Sequence, residues 1–364
     1  MISEDAAFVP GRLLAEQFYV AVVRPILAKG FPHLSHAAAL LGRGSDVLGH
    51  DTPRSMDHDW GPRLQLFLQA TDQGHRRAVH EYLADHLPNS FRGFPTNFAA
   101  RTSVTRKLRH TTGPIDHGVE VLSLDEWLRE SLGFDPRHAV DLIDWLATPT
   151  QRLAEFTTGR VFHDGLGDLT AARQALLWYP TDVWRYVLAC QWTRIAREEA
   201  FGARCAEAGD DLGAALITGR LVRELMRLQL LMRRRYPPYS KWLGSAVRES
   251  PVDEVALSAW TSAMAGRSWE EKEEQLNKAY RQAAEVHNSL GLTPPLDPEP
   301  RPFNDRPYAI LVAGRFADAL VAGIDDVRIR RLPPLGAIDQ FTDCRDVNTD
   351  LATARRITRA ALEL

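Results

Sequence analysis

The stretch that decides the fold is Ala37-Ala38-Ala39-Leu40-Leu41-Gly42-Arg43-Gly44-Ser45, followed after eleven intervening residues by Asp57-His58-Asp59-Trp60. The apolar run Ala37–Leu41 is short and stops at two glycines, the pattern of a buried strand entering a tight turn. Beyond it Leu64, Leu66 and Leu68 recur at every second position, the period of a half-buried strand that Asp57-His58-Asp59 is expected to open. Residues two apart on a strand share a face, so Asp57 and Asp59 would project together into one site. Like charges held that close repel, and a divalent cation that prefers oxygen relieves the repulsion. Mg²⁺ suits the position, because it takes one or two carboxylates and fills its shell with water and substrate phosphate oxygens. The turn supplies the other half: at Gly44 and Ser45 small side chains let backbone N–H groups approach a phosphate, and Ser45 adds a hydroxyl donor.

A third carboxylate on a neighbouring strand would complete a metal site. Glu120, between Val119 and Val121 in the strand pattern Gly118–Leu122, is the candidate. Asp116 and Asp125 fall at turn and helix-start positions, where capping accounts for them. Working outward, apolar residues at helical spacing place a helix over 11–28, bent or ended near Pro25, and shorter helices over 123–132 and 138–147. From 166 to 235 the period is helical. Val183, Trp184, Val187, Leu188, Trp192 and Ile195 form one stripe, and Leu212, Leu216, Leu221, Leu225, Leu228 and Leu231 another, so two long helices are expected to pack as a bundle. Tyr236-Pro237-Pro238-Tyr239 ends the second, and another helix spans 270–289. After a proline-rich linker, Leu292–Pro302, the tail reads as strand (308–313), helix (315–322), strand (327–332) and helix (351–363). The expected domains are 1–150, 151–291 and 303–364.

Composition narrows the function. The 364 residues carry 44 basic and 47 acidic side chains, a net charge of −3, which rewards neither a nucleic-acid backbone nor an anionic membrane. The excess of base is local: residues 151–250 carry 15 basic and 11 acidic side chains, net +4. Three cysteines, Cys190, Cys205 and Cys344, form no C-x-x-C pair, so neither a disulfide framework nor a structural zinc site is expected, and a reducing compartment is the simpler reading. The start Met1–Asp5 is acidic where a signal peptide would be basic, and no apolar run reaches bilayer length, so a cytoplasmic location is expected.

Gly44-Ser45, eleven residues, then Asp57-His58-Asp59 resembles the signature of the DNA polymerase β-like nucleotidyltransferase superfamily, which includes aminoglycoside and kanamycin nucleotidyltransferases and minimal antitoxin-type enzymes. Glu120 matches the later strand acid of that superfamily. Trp184-Arg185-Tyr186, Gln191-Trp192, Glu198-Glu199-Ala200-Phe201 and Arg233-Arg234-Arg235-Tyr236-Pro237-Pro238-Tyr239-Ser240-Lys241-Trp242 resemble a bacterial family of such proteins known chiefly as a domain of unknown function. Together the resemblances span roughly residues 35 to 290. The segment between Ser45 and Asp57 departs from the pattern, since Asp46, Asp51, Pro53 and Arg54 make it less apolar than a regular helix.

The resemblance implies an α+β fold: a nucleotidyltransferase-type mixed sheet with flanking helices, then a helical bundle and a small mixed α/β tail. It implies that an acceptor attacks the α-phosphorus of a nucleoside triphosphate, with ATP the expected nucleotide, and pyrophosphate departs. Two Mg²⁺ ions about 3.5–4 Å apart would be bridged by Asp57 and Asp59. Glu120 would complete one ion's shell or act as general base on the acceptor. The acceptor would be a small-molecule hydroxyl or amine. The alternatives are a partner protein's side chain, as in an antitoxin-like or protein-modifying enzyme, or a non-catalytic nucleotide-binding module. Lys241, just after Tyr239 in the basic middle segment, is the candidate cation for the triphosphate. Elsewhere the simpler readings are structural: Trp178, Trp184 and Trp192 as bundle core, Phe91, Phe94 and Phe98 as packing, His287 as a residue of a helix end.

Overall fold

A computed structural model describes residues 7–99, 105–113, 115–251 and 254–364; the acidic start Met1–Asp5 lies outside them. The fold is α+β, a four-stranded mixed sheet with flanking helices and a largely helical remainder. The chain forms two compact units, residues 1–140 with 152–177, and residues 141–151 with 178–364.

In the first unit the strands are β1 (His36–Leu40), β2 (Arg63–Leu68), β3 (Gly118–Ser123) and β4 (Arg160–Asp164), in the order β3-β2-β1-β4. β1 runs antiparallel to β2 and β4, whereas β2 and β3 are parallel, with Arg63 opposite Gly118 and Gln65 opposite Glu120. Leu64, Leu66 and Leu68 of β2 and Val119 and Val121 of β3 line one face. Phe18, Tyr19, Val23 and Leu27 of the N-terminal helices, with Val79 and Leu83 of the helix Arg76–His86, cover it. The N-terminal helix is divided into Gly11–Phe18, a π-helical turn Tyr19–Val23, and Arg24–Gly30. Pro25 lacks the N–H of a continuous ladder, and the π turn ends two residues before it. The opposite face of the sheet carries Arg63, Gln65 and Phe67, whose ring packs edge-on against Trp127 at 5.3 Å. β4 lies beyond residue 150, the expected end of the first domain, within a stretch with no clear two-residue period.

The second unit is built on Thr181–Glu198, Asp211–Met232 and Trp269–Ser289. Trp184 and Trp192 are core residues, Trp192 stacking on Phe316 at 4.7 Å. His287, in the last turn of Trp269–Ser289, is buried; its Nδ1 accepts from Trp192 Nε1 at 3.2 Å, and burial pushes its pKa down to about 4. A charged network runs through this core. Glu224 accepts from Gln191 Nε2 (2.6 Å), Arg194 Nε (3.0 Å) and Arg223 Nη1 (2.9 Å), and Arg227 pairs with Asp339 at 3.1 Å. Burial alone would push the Glu224 carboxyl up; Arg194 outweighs it and holds the group below its usual range. Two sequence expectations need correction here. Leu212 and Leu216 are exposed, and the buried face of Asp211–Met232 is carried there by Ala214 and Thr218 before Leu221. Residues 327–330 are a helical turn and not a strand: Asp326 caps it, accepting from Arg328 N at 2.8 Å, and only Ile329 is buried. The helices Gly314–Ala322 and Leu351–Leu362 form as expected, and the tail belongs to this unit. The strand expected over 308–313 contracts to Ala309–Ile310, paired with Arg301–Pro302. No helix among the described residues is long and apolar enough to cross a membrane, and the three cysteines are free.

Glu199 generates a prediction. It is 6% exposed; one carboxylate oxygen accepts from Ala313 N at 3.0 Å and the other has no partner among the described residues. Burial pushes its pKa up to about 7. A carboxyl raised in the folded state favours folding fully below its unfolded pKa and loses that advantage as pH rises towards 7. Glu199→Gln should therefore raise Tm at pH 8 by a few degrees and change it little at pH 4.5, read by thermal melts at both values.

Candidate active site

The site is assembled where β1 ends and β2 begins. After Leu40 the chain turns through Gly42 (φ +82°) and Gly44 (φ +146°) into the short helical turn Ser45–Leu48. At Gly44 the conformation is one that L side chains rarely adopt, and a Cβ there would lie 2.2 Å from Asp46 Oδ1 and 2.6 Å from Arg63 Nη2. The space beside Gly44 is thus filled by an ion pair. Asp46 is 1% exposed and takes Arg63 by two nitrogens, Nη2 to Oδ1 at 2.7 Å and Nε to Oδ2 at 3.2 Å. Arg63 Nη2 also donates to the carbonyl of Arg43 at 3.2 Å. The Ser45 hydroxyl has no hydrogen-bond partner among the described residues and is half-buried.

Asp57 and Asp59 do not open a strand, which corrects the alternation argument. Pro53–Asp57 is a 3₁₀ turn with Pro53 in its first positions and a capping box between Thr52 and Ser55. Asp59 sits in the left-handed region (φ +48°), and after Gly61 (φ +139°) β2 begins only at Arg63. Local capping and these two left-handed residues override the two-residue period. Asp57 is exposed and paired with His58 Nδ1 at 2.7 Å. Asp59 is held on both sides by Arg106, its N–H donating to the Arg106 carbonyl at 2.8 Å and its Oδ1 accepting from Arg106 N at 2.9 Å.

Glu120 stands on β3 facing away from the valine core, exposed, opposite Gln65 in the parallel register. Gln65 is the link to the turn: its Nε2 donates to Glu120 Oε2 at 3.4 Å, while its Oε1 accepts from Leu41 N at 2.9 Å. Burial alone would lower the pKa of Arg63, but Asp46, then Glu120 and Asp59, outweigh it and raise it, so the guanidinium stays charged with all three acids in electrostatic reach. Three residues that sequence reasoning missed therefore organise the site: Asp46, Arg63 and Gln65. The available signal was the pair of polar residues on the outward side of β2, read there only as alternation. Asp51 is a second anchor, accepting from Gly11 N at 2.7 Å and from Trp60 Nε1 at 3.0 Å.

Among the described residues no group of three or more His, Cys, Asp and Glu side chains is placed to hold a metal ion. Asp59 and Glu120, both within electrostatic reach of Arg63, are carboxylates of the kind that bind one Mg²⁺ together with substrate oxygens, so this donor chemistry fits that ion; Asp57 is paired with His58. Lys241 and Tyr239 belong to the second unit. Tyr239 is 44% exposed and its N–H donates to Gln151 Oε1 at 3.0 Å; Lys241 Nζ lies over the Trp242 ring at 4.7 Å.

Residues 145–243 match a family model described as a domain of unknown function (DUF4037). The chain is also similar to a solved nucleotidyltransferase-like protein from Exiguobacterium sibiricum 255-15, at 13% identity over 76% of this chain and 77% of that one, with a TM-score of 0.31. No curated protein matches the chain.

The packing at Gly44 is testable by stability alone. Gly44→Ala should cost about 2 kcal/mol or more, because strain and the collision with Asp46 and Arg63 add. Gly74→Ala, where an added Cβ meets nothing within 4 Å, should change stability by less than about 0.5 kcal/mol. Urea unfolding midpoints compare the two.

Proposed function

We propose that the chain is a Mg²⁺-dependent nucleotidyltransferase that moves a nucleoside monophosphate from a nucleoside triphosphate to a small-molecule hydroxyl or amine, releasing pyrophosphate. The observation that supports this most is the meeting, at one end of β1 and β2, of the Gly44-Ser45 turn with Asp59 and Glu120 around a single guanidinium. Asp46 already compensates Arg63, so Asp59 and Glu120 leave the cluster with an excess of two negative charges. That excess matches a divalent cation carrying a triphosphate and repels the bare anion.

In the reaction the acceptor oxygen or nitrogen forms a bond to the α-phosphorus, the bond from that phosphorus to the bridging oxygen breaks, and pyrophosphate leaves with the bond's electrons. The metal ion, when bound, neutralises charge on the phosphate oxygens. The unpartnered Ser45 hydroxyl donates to a phosphate oxygen. Asp59, fixed by Arg106, would offer its carboxylate to the ion, and Glu120, exposed and bonded at one oxygen only, would take the proton released by the acceptor or contribute to the ion's shell. Phosphoryl chemistry of this kind needs positioning and charge neutralisation more than further reactive groups.

Pyrophosphate release should be measured nucleotide by nucleotide against a panel of hydroxyl and amine acceptors. Asp59→Asn and Glu120→Gln should each lower the rate by about 100-fold or more, and EDTA should abolish it. Turnover unchanged in both variants would end this reading.

A further inference from the structure

Arg63 is held to Asp46 along one edge of its guanidinium only. Nε and Nη2 make every hydrogen bond recorded for the side chain, to Asp46 and to the Arg43 carbonyl. Nη1 makes none among the described residues, and the side chain as a whole is 16% exposed. We infer that Arg63 is a triphosphate-contacting cation of this site, aimed by Asp46, with Nη1 as the donor to a β- or γ-phosphate oxygen. The inference rests on the nucleotidyltransferase reading and adds to it a residue and a specificity.

Three observations support it. First, position: Arg63 opens β2, its Nη2 lies against Gly44, and the unpartnered Ser45 hydroxyl is the next residue of that turn. A phosphate accepting from Ser45 would therefore lie beside the guanidinium. Second, energetics: a buried Asp–Arg pair is weak evidence of stabilisation, since apolar residues of similar volume often do as well. A charged pair kept at the mouth of a carboxylate cluster, with one nitrogen left open, is better accounted for by recognition of an anion. Third, geometry: the planar fork is locked by two bonds to Asp46, so the open donor is pre-aimed and little side-chain freedom is lost on binding.

The test uses the full chain and compares wild type, Arg63→Gln, and the double variant Asp46→Asn with Arg63→Gln, which keeps a neutral hydrogen-bonded pair where removing one charge alone would leave the other buried. Mg²⁺·ATP binding is followed by calorimetry and AMP by competition, with thermal melts alongside. The double variant should melt close to wild type and bind Mg²⁺·ATP about tenfold or more weakly, the size expected for loss of one charge-assisted hydrogen bond, while AMP affinity changes less than about twofold. A folded double variant with wild-type affinity for Mg²⁺·ATP overturns the inference and leaves the nucleotidyltransferase reading standing. So does an equal weakening of ATP and AMP, which would mean a structural role. Wild type that binds no Mg²⁺·ATP overturns both.

Discussion

The ion pair between Asp46 and Arg63 joins the turn after β1 to the first residue of β2, and the candidate site is arranged around that joint. The pair demands glycine at position 44, because any side chain there would occupy the place of the carboxylate and the guanidinium. It also sets the neighbourhood of the third acid: with Arg63 at the start of β2, the parallel register brings Gln65 to Glu120, and Gln65 in turn holds the backbone of Leu41. Asp51 performs a parallel task from the other side by tying Gly11 and Trp60 together. The segment between the Gly-Ser turn and Asp57, polar and irregular in sequence, is thus the part that carries both anchors. Removing one partner of a buried pair strands the other's charge, typically at several kcal/mol, so both members are under the same constraint.

Much of this fold can be read from residue pattern. Ala37–Leu41 is the continuous apolar run of a strand buried on both faces, and the leucines of β2 and Glu120 among valines sit where a two-residue period puts them. The long helices and the packing of Trp184 and Trp192 follow from the same logic at helical spacing, and Phe94, read from a loop as packing, is buried against Trp60. What could not be read was decided by contacts distant in sequence or by local capping. Asp59 has a left-handed backbone fixed by Arg106, forty-seven residues on, and nothing in Asp57-His58-Asp59 announces it. Arg63 looked like the polar side of an alternating strand, since its partner lies seventeen residues earlier in a segment with no regular period. β4 is an edge strand with no fully buried residue, so it lacks the alternation that would have revealed it. Leu212 and Leu216 lie on the outward side of a stretch whose buried face is Ala214 and Thr218, small residues that a leucine pattern does not pick out.

The second unit is ordered by a different principle. Its core accepts charge, with Glu224 gathering Gln191, Arg194 and Arg223, and Arg227 reaching Asp339 over one hundred residues away. Such networks rigidify a helical core when every member is satisfied, and they fix which helix faces which more narrowly than leucines can. The matched family segment, residues 145–243, contains most of these residues.

The order of strands in the sheet has a consequence for how the chain is made. β1 is an interior strand, yet its partner β4 is separated from it by more than a hundred residues, and residues 141–151, which precede β4, belong to the other unit. On a ribosome, β1, β2 and β3 would emerge and pair well before β4 exists, leaving one side of Ala37–Leu40 as an unpaired, apolar edge. A nascent chain in that interval carries the kind of edge that recruits other strands, and the contacts that close it are among the slowest to form. The same arrangement means that neither unit is one continuous piece of sequence, so a chain cut at residue 150 would carry the catalytic-looking motifs and lack the strand that seals their sheet.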